Sequence, residues 1–464
     1  MRRAKPRQPE PSLRPAPTRD ERTAAGKALR DKVSRKSQGG WKAPPRRRDP
    51  IELLIRSSRG RLPQLIPIRY GRMMQSPFAF YRGAAAIMAA DLAGTPASGI
   101  RVQACGDCHL MNFGGSATPE RHIVFDISDF DESLPAPWEW DLKRLVASVV
   151  IASQNNGFKK GDARQAAVRC ARSYRDHLAA YAEMRALERW YARIDAEDLI
   201  ALVDSKPWKK RIEKQVARES ARSVVEDDFP KLTVVRNGVV RIKDNPPLIF
   251  HPGRAGAAEH SQVIHAVFRR YRDSLSDDRK ALMDHYEIKD LAAKVVGVGS
   301  VGTRCGILLM MAGADDPLFL QVKEARASVL EPYAGKSRYA NCGQRVVAGQ
   351  KLMQAASDLF LGWTADRGRH YYLRQLRDIK ITPLVEVFDA PALTRYAEWC
   401  GWALARAHAK SGDAAKIGGY LGRSDRFDEA MADFATAYAG QNERDHQALL
   451  TAIRAGRIDV IRES

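Results

Sequence analysis

The amino-acid sequence predicts an α+β protein with a helix-rich large lobe and a small lobe built on an antiparallel sheet. Residues 232–242 predict a hairpin that turns at Asn237-Gly238, a dipeptide that favours a two-residue hairpin turn. A second strand, turn and strand pattern runs from Lys294 to Met311. Three segments have helical patterns, and the second of them carries apolar residues at three- and four-residue steps. They are residues 141–153, 162–194 and 207–226.

Composition limits the protein class. The chain has 464 residues, of which 44% are hydrophobic, so it can bury a large core in two or three lobes. Its six cysteines have irregular spacing and form no disulfide framework, which predicts a reducing, cytoplasmic location. No apolar run approaches roughly eighteen residues, so no membrane span is predicted.

The formal net charge of +21 is concentrated at the amino terminus, where residues 1–50 hold sixteen Lys or Arg and five Asp or Glu. This segment is rich in Pro and Ser and has almost no large apolar residues, so we expect it to be disordered. A solubilising extension is the simplest role for it. Weak contact with nucleic acid or an acidic surface is the alternative.

The remaining chain is expected to form three segments. Residues 51–285 form the helix-rich large lobe with the candidate catalytic and metal-binding loops. Residues 286–388 form the small lobe, with a glycine-rich loop and a lysine on a strand. Residues 389–464 return as helices to the large lobe.

One stretch of the large lobe carries chemistry-bearing residues at a distinctive spacing. Asp107 and Asn112 are separated by four residues, and a strand-like run then leads to Asp129-Phe-Asp131-Glu. Phosphoryl transfer needs a carboxylate that orients a hydroxyl, together with carboxylate and amide oxygens that hold magnesium. Each residue taken alone is equally consistent with a turn cap. As a set they predict a catalytic Asp107, a nearby His109 and the metal ligands Asn112, Asp129 and Asp131.

Residues 105–109 of this stretch allow another interpretation. Cys105-Gly-Asp-Cys108-His109 matches the attachment pattern of c-type haem, and its first four residues match a thiol redox pair. Haem attachment occurs in an exported compartment, and the sequence after Met1 predicts no secretory signal. A redox pair usually opens a helix, whereas Leu110 and the residues after it do not resemble a helix start. We therefore expect a structural role for these thiols.

A glycine-rich segment in the small lobe precedes a lysine on a strand. Gly297, Gly299, Ser300 and Gly302 lie between two predicted strands, and Lys323 follows on a third strand about twenty residues later. A glycine turn of this spacing can open a dinucleotide-binding helix, but the residues from Arg304 onward are strand-like. Glycine amides that cover phosphates, with a strand lysine that touches them, are typical of kinases. An ordinary meander is the alternative.

Gly106-Asp107-x-His109-x-x-Asn112 and Asp129-Phe-Asp131-Glu resemble the two motifs of the aminoglycoside and choline phosphotransferases, a branch of the kinase-like superfamily. In that branch a helix opening with Asp-Leu follows, as Asp141-Leu142 does in this chain. Cys105 departs from the histidine that usually precedes Gly-Asp.

Over residues 60–440 the chain also resembles the bacterial domain-of-unknown-function family 2252, which we associate with the same superfamily. In kinases the glycine loop and lysine precede the catalytic loop, whereas in this chain they follow it. The resemblance therefore implies a circularly permuted protein-kinase-like fold. No glutamate of the expected C-helix is evident as a partner for Lys323. Glu331 is one candidate, and Gln344 or Gln350 is a weaker one.

The resemblance implies an ATP- and magnesium-dependent phosphotransferase that acts on the hydroxyl of a small molecule. Asp107 would orient the acceptor, Lys323 would touch the α- and β-phosphates, and the glycines would let backbone amides approach them. Two alternatives remain open. One is a nucleotide-binding pseudokinase or scaffold without turnover, and the other is a protein nucleotidyltransferase that binds ATP in reverse.

Overall fold

The computed structural model describes residues 17–221, 224–251, 257–295, 297–376 and 379–462. These residues form a mixture of helices and antiparallel sheets, which confirms the predicted α+β class. Among them, no helix combines the length and the apolar content that crossing a bilayer requires.

The helices frame the site and follow one another along most of the chain. They are α1 (Arg19–Lys32), α2 (Pro50–Ser58), α3 (Ile66–Met73), α4 (Pro77–Gly83), α5 (Ala85–Leu92), α6 (Trp138–Asn155), α7 (Lys160–Glu183), α8 (Ala186–Tyr191), α9 (Ala196–Ala201), α10 (Lys206–Ser220), α11 (Phe229–Leu232), α12 (Ala257–Asp273), α13 (Asp277–Met283), α14 (Glu331–Ala334), α15 (Cys342–Met353), α16 (Ala390–Ser411), α17 (Ala414–Leu421) and α18 (Arg426–Arg454).

The strands form antiparallel sheets. They are β1 (Arg101–Ala104), β2 (Phe113–Ala117), β3 (Ile123–Ile127), β4 (Leu134–Pro137), β5 (Thr233–Arg236), β6 (Val239–Ile242), β7 (Ile249–Phe250), β8 (Glu287–Lys294), β9 (Cys305–Ala312), β10 (Asp316–Ala325), β11 (Gly362–Asp366), β12 (Arg369–Gln375) and β13 (Lys380–Ile381). The largest sheet has the order β11-β12-β10-β9-β8-β7, and a smaller one has the order β13-β2-β3.

The six-stranded sheet is apolar on both faces. Successive side chains of a strand point to opposite faces, and β9 is buried along most of its length. Leu308 and Met310 join one apolar cluster, while Ile307 and Leu309 join another on the opposite face. In this sheet Lys323 of β10 lies opposite Cys305 of β9 and Tyr372 of β12.

The largest apolar core is helical and is formed mainly by α6, α7, α16 and α18. Helix α6 is buried on almost every side, so its apolar sequence fits a central position. Helices α7 and α16 approach closely at Gly401, where a Cβ atom would lie 2.3 Å from the carbonyl oxygen of Cys170. This core supports the loops that carry Asp107 and Asn112.

The predicted disorder of residues 1–50 is wrong for the described part of that segment, while residues 1–16 lie outside the described residues. Helix α1 begins with a capping box between Thr18 and Glu21. It packs so tightly on α17 that a Cβ atom at Gly26 would lie 1.9 Å from the carbonyl oxygen of Lys416. The interface depends on glycines and on arginine bonds to main-chain oxygens, such as Arg30 Nε to Tyr420 O at 2.9 Å. A search for large apolar residues does not detect such an interface.

Residues before the predicted lobe boundary at residue 285 also pack against the six-stranded sheet. Leu232 and Ile242 pack against one face of the six-stranded sheet, and Tyr271 and Met283 pack against the other. The residues that complete the sheet's two apolar layers therefore precede its first long strand, β8.

Candidate active site

The loop that carries Asp107 begins where β1 ends. Gly106 has φ of +83°, and a Cβ atom there would lie 2.4 Å from the carbonyl oxygen of Glu132. Only glycine fits this position without strain. Asp141 of α6 accepts hydrogen bonds from the backbone nitrogens of Cys105 at 2.7 Å and Gly106 at 3.0 Å. A helix side chain therefore braces the loop.

The buried His408 contacts Asp141 in turn. His408 Nε2 lies 3.3 Å from Asp141 Oδ2, and its Nδ1 lies 2.9 Å from the hydroxyl oxygen of Tyr174. Asp141 and His408 therefore support the loop at Cys105 and Gly106.

Asp107 lies at the edge of a cleft and forms an ion pair with a residue that the sequence analysis missed. Arg144 Nε donates to Asp107 Oδ1 at 2.6 Å, and a second nitrogen of the same guanidinium lies 2.5 Å from this oxygen. Although burial opposes its charge, Asp107 and Tyr81 raise the pKa of Arg144. The signal available in the sequence was the position of Arg144, one helical turn after Asp141. Arg144 therefore holds Oδ1 of Asp107, while Oδ2 makes no bond to this guanidinium in either contact.

His109 is buried beside Asp107. Its Nε2 lies 3.9 Å from Asp107 Oδ2, which is beyond hydrogen-bonding distance. Burial lowers the pKa of His109 to about 4 despite the neighbouring carboxylate. The imidazole is therefore neutral at physiological pH.

Asn112 connects the two predicted motifs. Its side-chain Nδ2 donates to the backbone carbonyl oxygen of Asp107 at 2.7 Å. Its backbone carbonyl oxygen accepts from the backbone nitrogen of Ser128 at 2.8 Å. Since the amide nitrogen is engaged, the side-chain oxygen is the end available to a metal ion. Asn112 thus fixes the Asp107 loop to the acidic turn that follows β3.

The acidic turn contacts the lysine predicted from the other half of the chain. Lys323 Nζ lies 2.8 Å from Asp131 Oδ2 and 4.0 Å from Asp129 Oδ2. Burial alone would lower the pKa of Lys323, but Asp129 and Asp131 raise it well above its usual value. Tyr372, which lies opposite Lys323 in the sheet, donates its hydroxyl to Asp131 Oδ1 at 2.6 Å. Both Asp131 oxygens are therefore engaged, whereas Asp129 is the less committed carboxylate of the turn.

Glu331 does not take the role predicted for it. It begins the short helix α14, while Asp131 and Asp129 are the carboxylates that contact Lys323 among the described residues. Helix α15 contacts the acidic turn through Arg345, which donates to the carbonyl oxygen of Asp131 at 2.7 Å. Gln350 of α15 donates instead to Gln354 at 2.9 Å.

The glycine-rich loop connects β8 to β9, so an antiparallel strand follows the glycines and a dinucleotide-binding helix does not. Gly297 and Gly302 have φ of +68° and +85°, in the region that favours glycine. The loop is held against the connection between α2 and α3, since the backbone nitrogen of Leu62 donates to the carbonyl oxygen of Gly302 at 2.7 Å. Arg72 also donates to the carbonyl oxygen of Gly297.

Seven of the predicted residues line two neighbouring chambers, whereas His109, Asn112, Gly302 and Glu331 border neither of them. The first has a volume of about 550 Å³ and is bordered by Gly297, Lys323 and the sheet residues Gln321 and Arg374. The second has a volume of about 250 Å³ and is bordered by Asp107 and Gly299. Asp129 and Ser300 border both chambers. The acidic turn and the glycine loop therefore each contribute a residue to the walls of both chambers.

Cys105 and Cys108, which flank Asp107 closely in the chain, belong to the helical core. Burial raises the pKa of both thiols, that of Cys108 to about 12. A thiol that remains protonated is a poor nucleophile, and the residues after His109 form a short 3-10 turn followed by β2. These features favour the structural role for the pair over redox chemistry. A sulfur or oxygen atom from each of Cys105, Cys108 and Asp141 lies within 4.8 Å of the others, but Asp141 is engaged with the loop backbone.

Comparison with known proteins gives one match. The profile of a family described as "Uncharacterized protein conserved in bacteria (DUF2252)" matches residues 61–452. No curated protein and no solved structure matches the chain. The matched segment contains both acidic motifs, the glycine-rich loop and Lys323, whereas α1 and α2 precede it.

Proposed function

The chain belongs to the DUF2252 family, and we propose that it is an ATP- and magnesium-dependent phosphotransferase with a hydroxyl-bearing acceptor. The observation that carries the proposal is the contact of Lys323 with Asp131 at 2.8 Å. This contact joins the acidic turn to the six-stranded sheet that carries the glycine-rich loop and Lys323.

The first chamber suits the nucleotide. We assign Lys323 to the α- and β-phosphates, and Gly297 and Ser300 bring the glycine loop to the same chamber, as amide contacts with phosphates require. Arg374 lies in the same chamber and donates to Gln321 at 3.1 Å and to the carbonyl oxygen of Ser128 at 3.2 Å. This arrangement links the sheet to the acidic turn around the phosphates.

We assign Asp129 and Asn112 to magnesium, because both carry the oxygen ligands that this ion prefers. Asp129 offers a carboxylate that is not saturated by the lysine, and Asn112 offers the amide oxygen left by its engaged nitrogen. Asp131 was also predicted to bind metal, but its two oxygens serve Tyr372 and Lys323, so we assign it to the lysine. When bound, the ion neutralises charge on the phosphates.

Asp107 is assigned as the residue that orients the acceptor. Its Oδ2 accepts the hydroxyl proton while the acceptor oxygen bonds to the γ-phosphorus of ATP. The bond from that phosphorus to the bridging oxygen breaks, and ADP leaves with the electron pair. Arg144 keeps Oδ1 in place, and His109 stays neutral behind the carboxylate.

The order of elements supports a circularly permuted kinase-like fold as part of this proposal. A glycine loop, the lysine strand β10, helix α15 and strands β11 and β12 follow one another, as in the small lobe of kinases. The catalytic loop precedes all of them. Permutation is tolerated where termini and loops lie at the surface.

A binding module without turnover is the second candidate. Asp131 already neutralises Lys323, and α15 supplies Arg345 where a kinase supplies a glutamate. Such a module binds ATP with magnesium but transfers no phosphoryl group to any acceptor.

Isotope transfer tests the proposal. The full-length protein is incubated with magnesium, an acceptor panel and ATP labelled on the γ- or the α-phosphate. We expect transfer of the γ label only, and its loss in Asp107→Asn. Transfer of the α label to protein would indicate a nucleotidyltransferase instead, and binding without transfer would favour the module.

A further inference from the structure

The second chamber is lined by an unusual set of cationic side chains. Five arginines border a volume of about 250 Å³ beside Asp107. They are Arg56, Arg61, Arg69, Arg82 and Arg326. They come from α2 to α4, the connections between those helices, and the segment after β10, so the fold gathers them at one place.

The more enclosed arginines bond to neutral groups. Arg61 donates to the carbonyl oxygen of Val301 at 2.6 Å, and Arg69 donates to the carbonyl oxygen of Gly83 at 3.0 Å. Arg326 donates to the carbonyl oxygen of Ser57 at 3.3 Å. Arg69 is 1% exposed, and its Nε has no hydrogen-bond partner within the described part of the chain. Arg82 Nε is also without a partner there.

The carboxylates that border the chamber are largely committed elsewhere. Asp107 is held by Arg144, Asp131 by Lys323, and Glu324 lies 3.3 Å from Arg304. Glu132 accepts from the Val329 nitrogen at 2.7 Å, and desolvation raises its pKa to about 7. Asp129 is the carboxylate assigned to magnesium.

Carboxylates therefore compensate the positive charge of the arginines only in part, since Glu132 acts on Arg61, and Glu386 and Asp107 act on Arg82. Burial and the nearby charges of Arg69 and Arg326 lower the pKa of Arg61 to about 9. Burial also lowers the pKa of Arg82. A bound anion would relieve this repulsion, and the guanidinium fork matches phosphate and carboxylate oxygens.

We propose that the acceptor is a small anion, a molecule whose phosphate or carboxylate group binds Arg61, Arg69 and Arg82 while its hydroxyl faces Asp107. This inference rests on the proposed function. The anionic group is not altered by the reaction, since the new phosphate ester forms on the hydroxyl oxygen. The nucleotide's own phosphates are assigned to Lys323 in the first chamber, so the two sets of cations serve different ligands.

Binding of simple probes tests the inference without requiring turnover. Full-length protein with magnesium is titrated with glycerol 3-phosphate, glycerate or glycerol, both without and with a saturating non-hydrolysable ATP analogue, and affinity is measured by calorimetry. We expect one or both anions to bind, whereas glycerol does not. The two anionic probes separate a phosphate from a carboxylate preference.

Two variants and a control locate the site. Arg82→Gln is expected to weaken anion binding by at least about tenfold, since a charge-assisted bond is lost. Arg82→Lys keeps the charge and is expected to lose less. Arg59→Gln changes an exposed arginine outside the chamber lining and should bind like the unaltered protein. Thermal unfolding without ligand shows whether each variant is folded.

Other results of these titrations would overturn the inference or the proposed function. Equal binding of glycerol and the anions, or binding of no probe, would overturn the inference. Anion binding that disappears when the ATP analogue is present would assign the arginines to the nucleotide phosphates. Failure of the unaltered protein to bind the ATP analogue would contradict the proposed function itself, and anion binding in that case would overturn the acceptor role.

Discussion

Lys323 Nζ and Asp131 Oδ2 lie 2.8 Å apart although 192 positions of the chain separate the two residues. Tyr372 donates to the other Asp131 oxygen at 2.6 Å, so three elements meet at one carboxylate. The contact joins the six-stranded sheet to the turn after β3. It is the structural basis of the proposed cleft.

Loss of this carboxylate should reduce the stability of the fold. Asp131→Asn leaves the buried ammonium of Lys323 with Asp129 alone, at 4.0 Å. Breaking a fully buried pair costs about 3–5 kcal/mol, but the Asp131 side chain is 26% exposed. We therefore expect the free energy of unfolding to fall by about 2 kcal/mol. Urea denaturation measures it, and an unchanged value would show that the pair is structurally unimportant.

Asp107→Asn should separate binding from catalysis. The amide cannot accept the hydroxyl proton, so turnover is expected to fall by about 100-fold or more, while ATP affinity stays nearly constant. Steady-state ATP consumption and nucleotide titration measure the two quantities. Asp315→Asn, a change at an exposed turn outside the cleft, is the control. Equal ATP consumption by Asp107→Asn and the unaltered protein would remove Asp107 from the mechanism.

His109 predicts a pH dependence of stability. Burial lowers its pKa from 6.5 to about 4, so the unfolded chain binds the proton more readily than the folded one. Its stabilising contribution is complete above about pH 6.5 and is lost as the pH falls through 4, a total of roughly 3 kcal/mol. In His109→Gln the free energy of unfolding should decrease less between these pH values. If the free energy of unfolding changed equally with pH in both proteins, the lowered pKa assigned to His109 would be contradicted.

The packing of α1 can be tested with a pair of glycines. A Cβ atom at Gly26 would lie 1.9 Å from the carbonyl oxygen of Lys416, whereas one at Gly418 meets no atom within 4 Å. Gly26→Ala should therefore destabilise the protein by about 2 kcal/mol through overpacking. Gly418→Ala, in the middle of α17, should stabilise it by about 0.5–1 kcal/mol. Thermal unfolding compares them, and neutral behaviour of Gly26→Ala would mean that α1 does not dock in solution.

The sequence was informative where residue type and spacing together indicate a local motif. Gly106, Asp107 and Asn112 are close in the chain, and Lys323 could be identified from the glycines before it. The turn at Asn237-Gly238 was also predictable, since both residues have positive φ as this turn requires.

Other residues could not be found because their roles depend on long-range contacts. Arg144 and Tyr372 are ordinary residues of a helix and a strand until folding places them at Asp107 and Asp131. The partner of Lys323 is Asp131 and not a residue of α15, since a carboxylate can approach the lysine from the acidic turn as well as from that helix. Helix α1 was missed because its contacts involve glycine and arginine instead of apolar residues. The predicted helix over residues 162–194 ends early at Glu183, and the short helix α8 follows.

The most direct test of the account is a calorimetric titration of the full-length protein and Lys323→Met with ATP, with and without magnesium. We expect the unaltered protein to bind ATP only when magnesium is present, and Lys323→Met to lose most of that affinity. Lys289→Met, at a lysine paired with Glu287 on β8, should bind like the unaltered protein. Binding that is independent of magnesium, or equally strong in Lys323→Met, would contradict the proposed cleft.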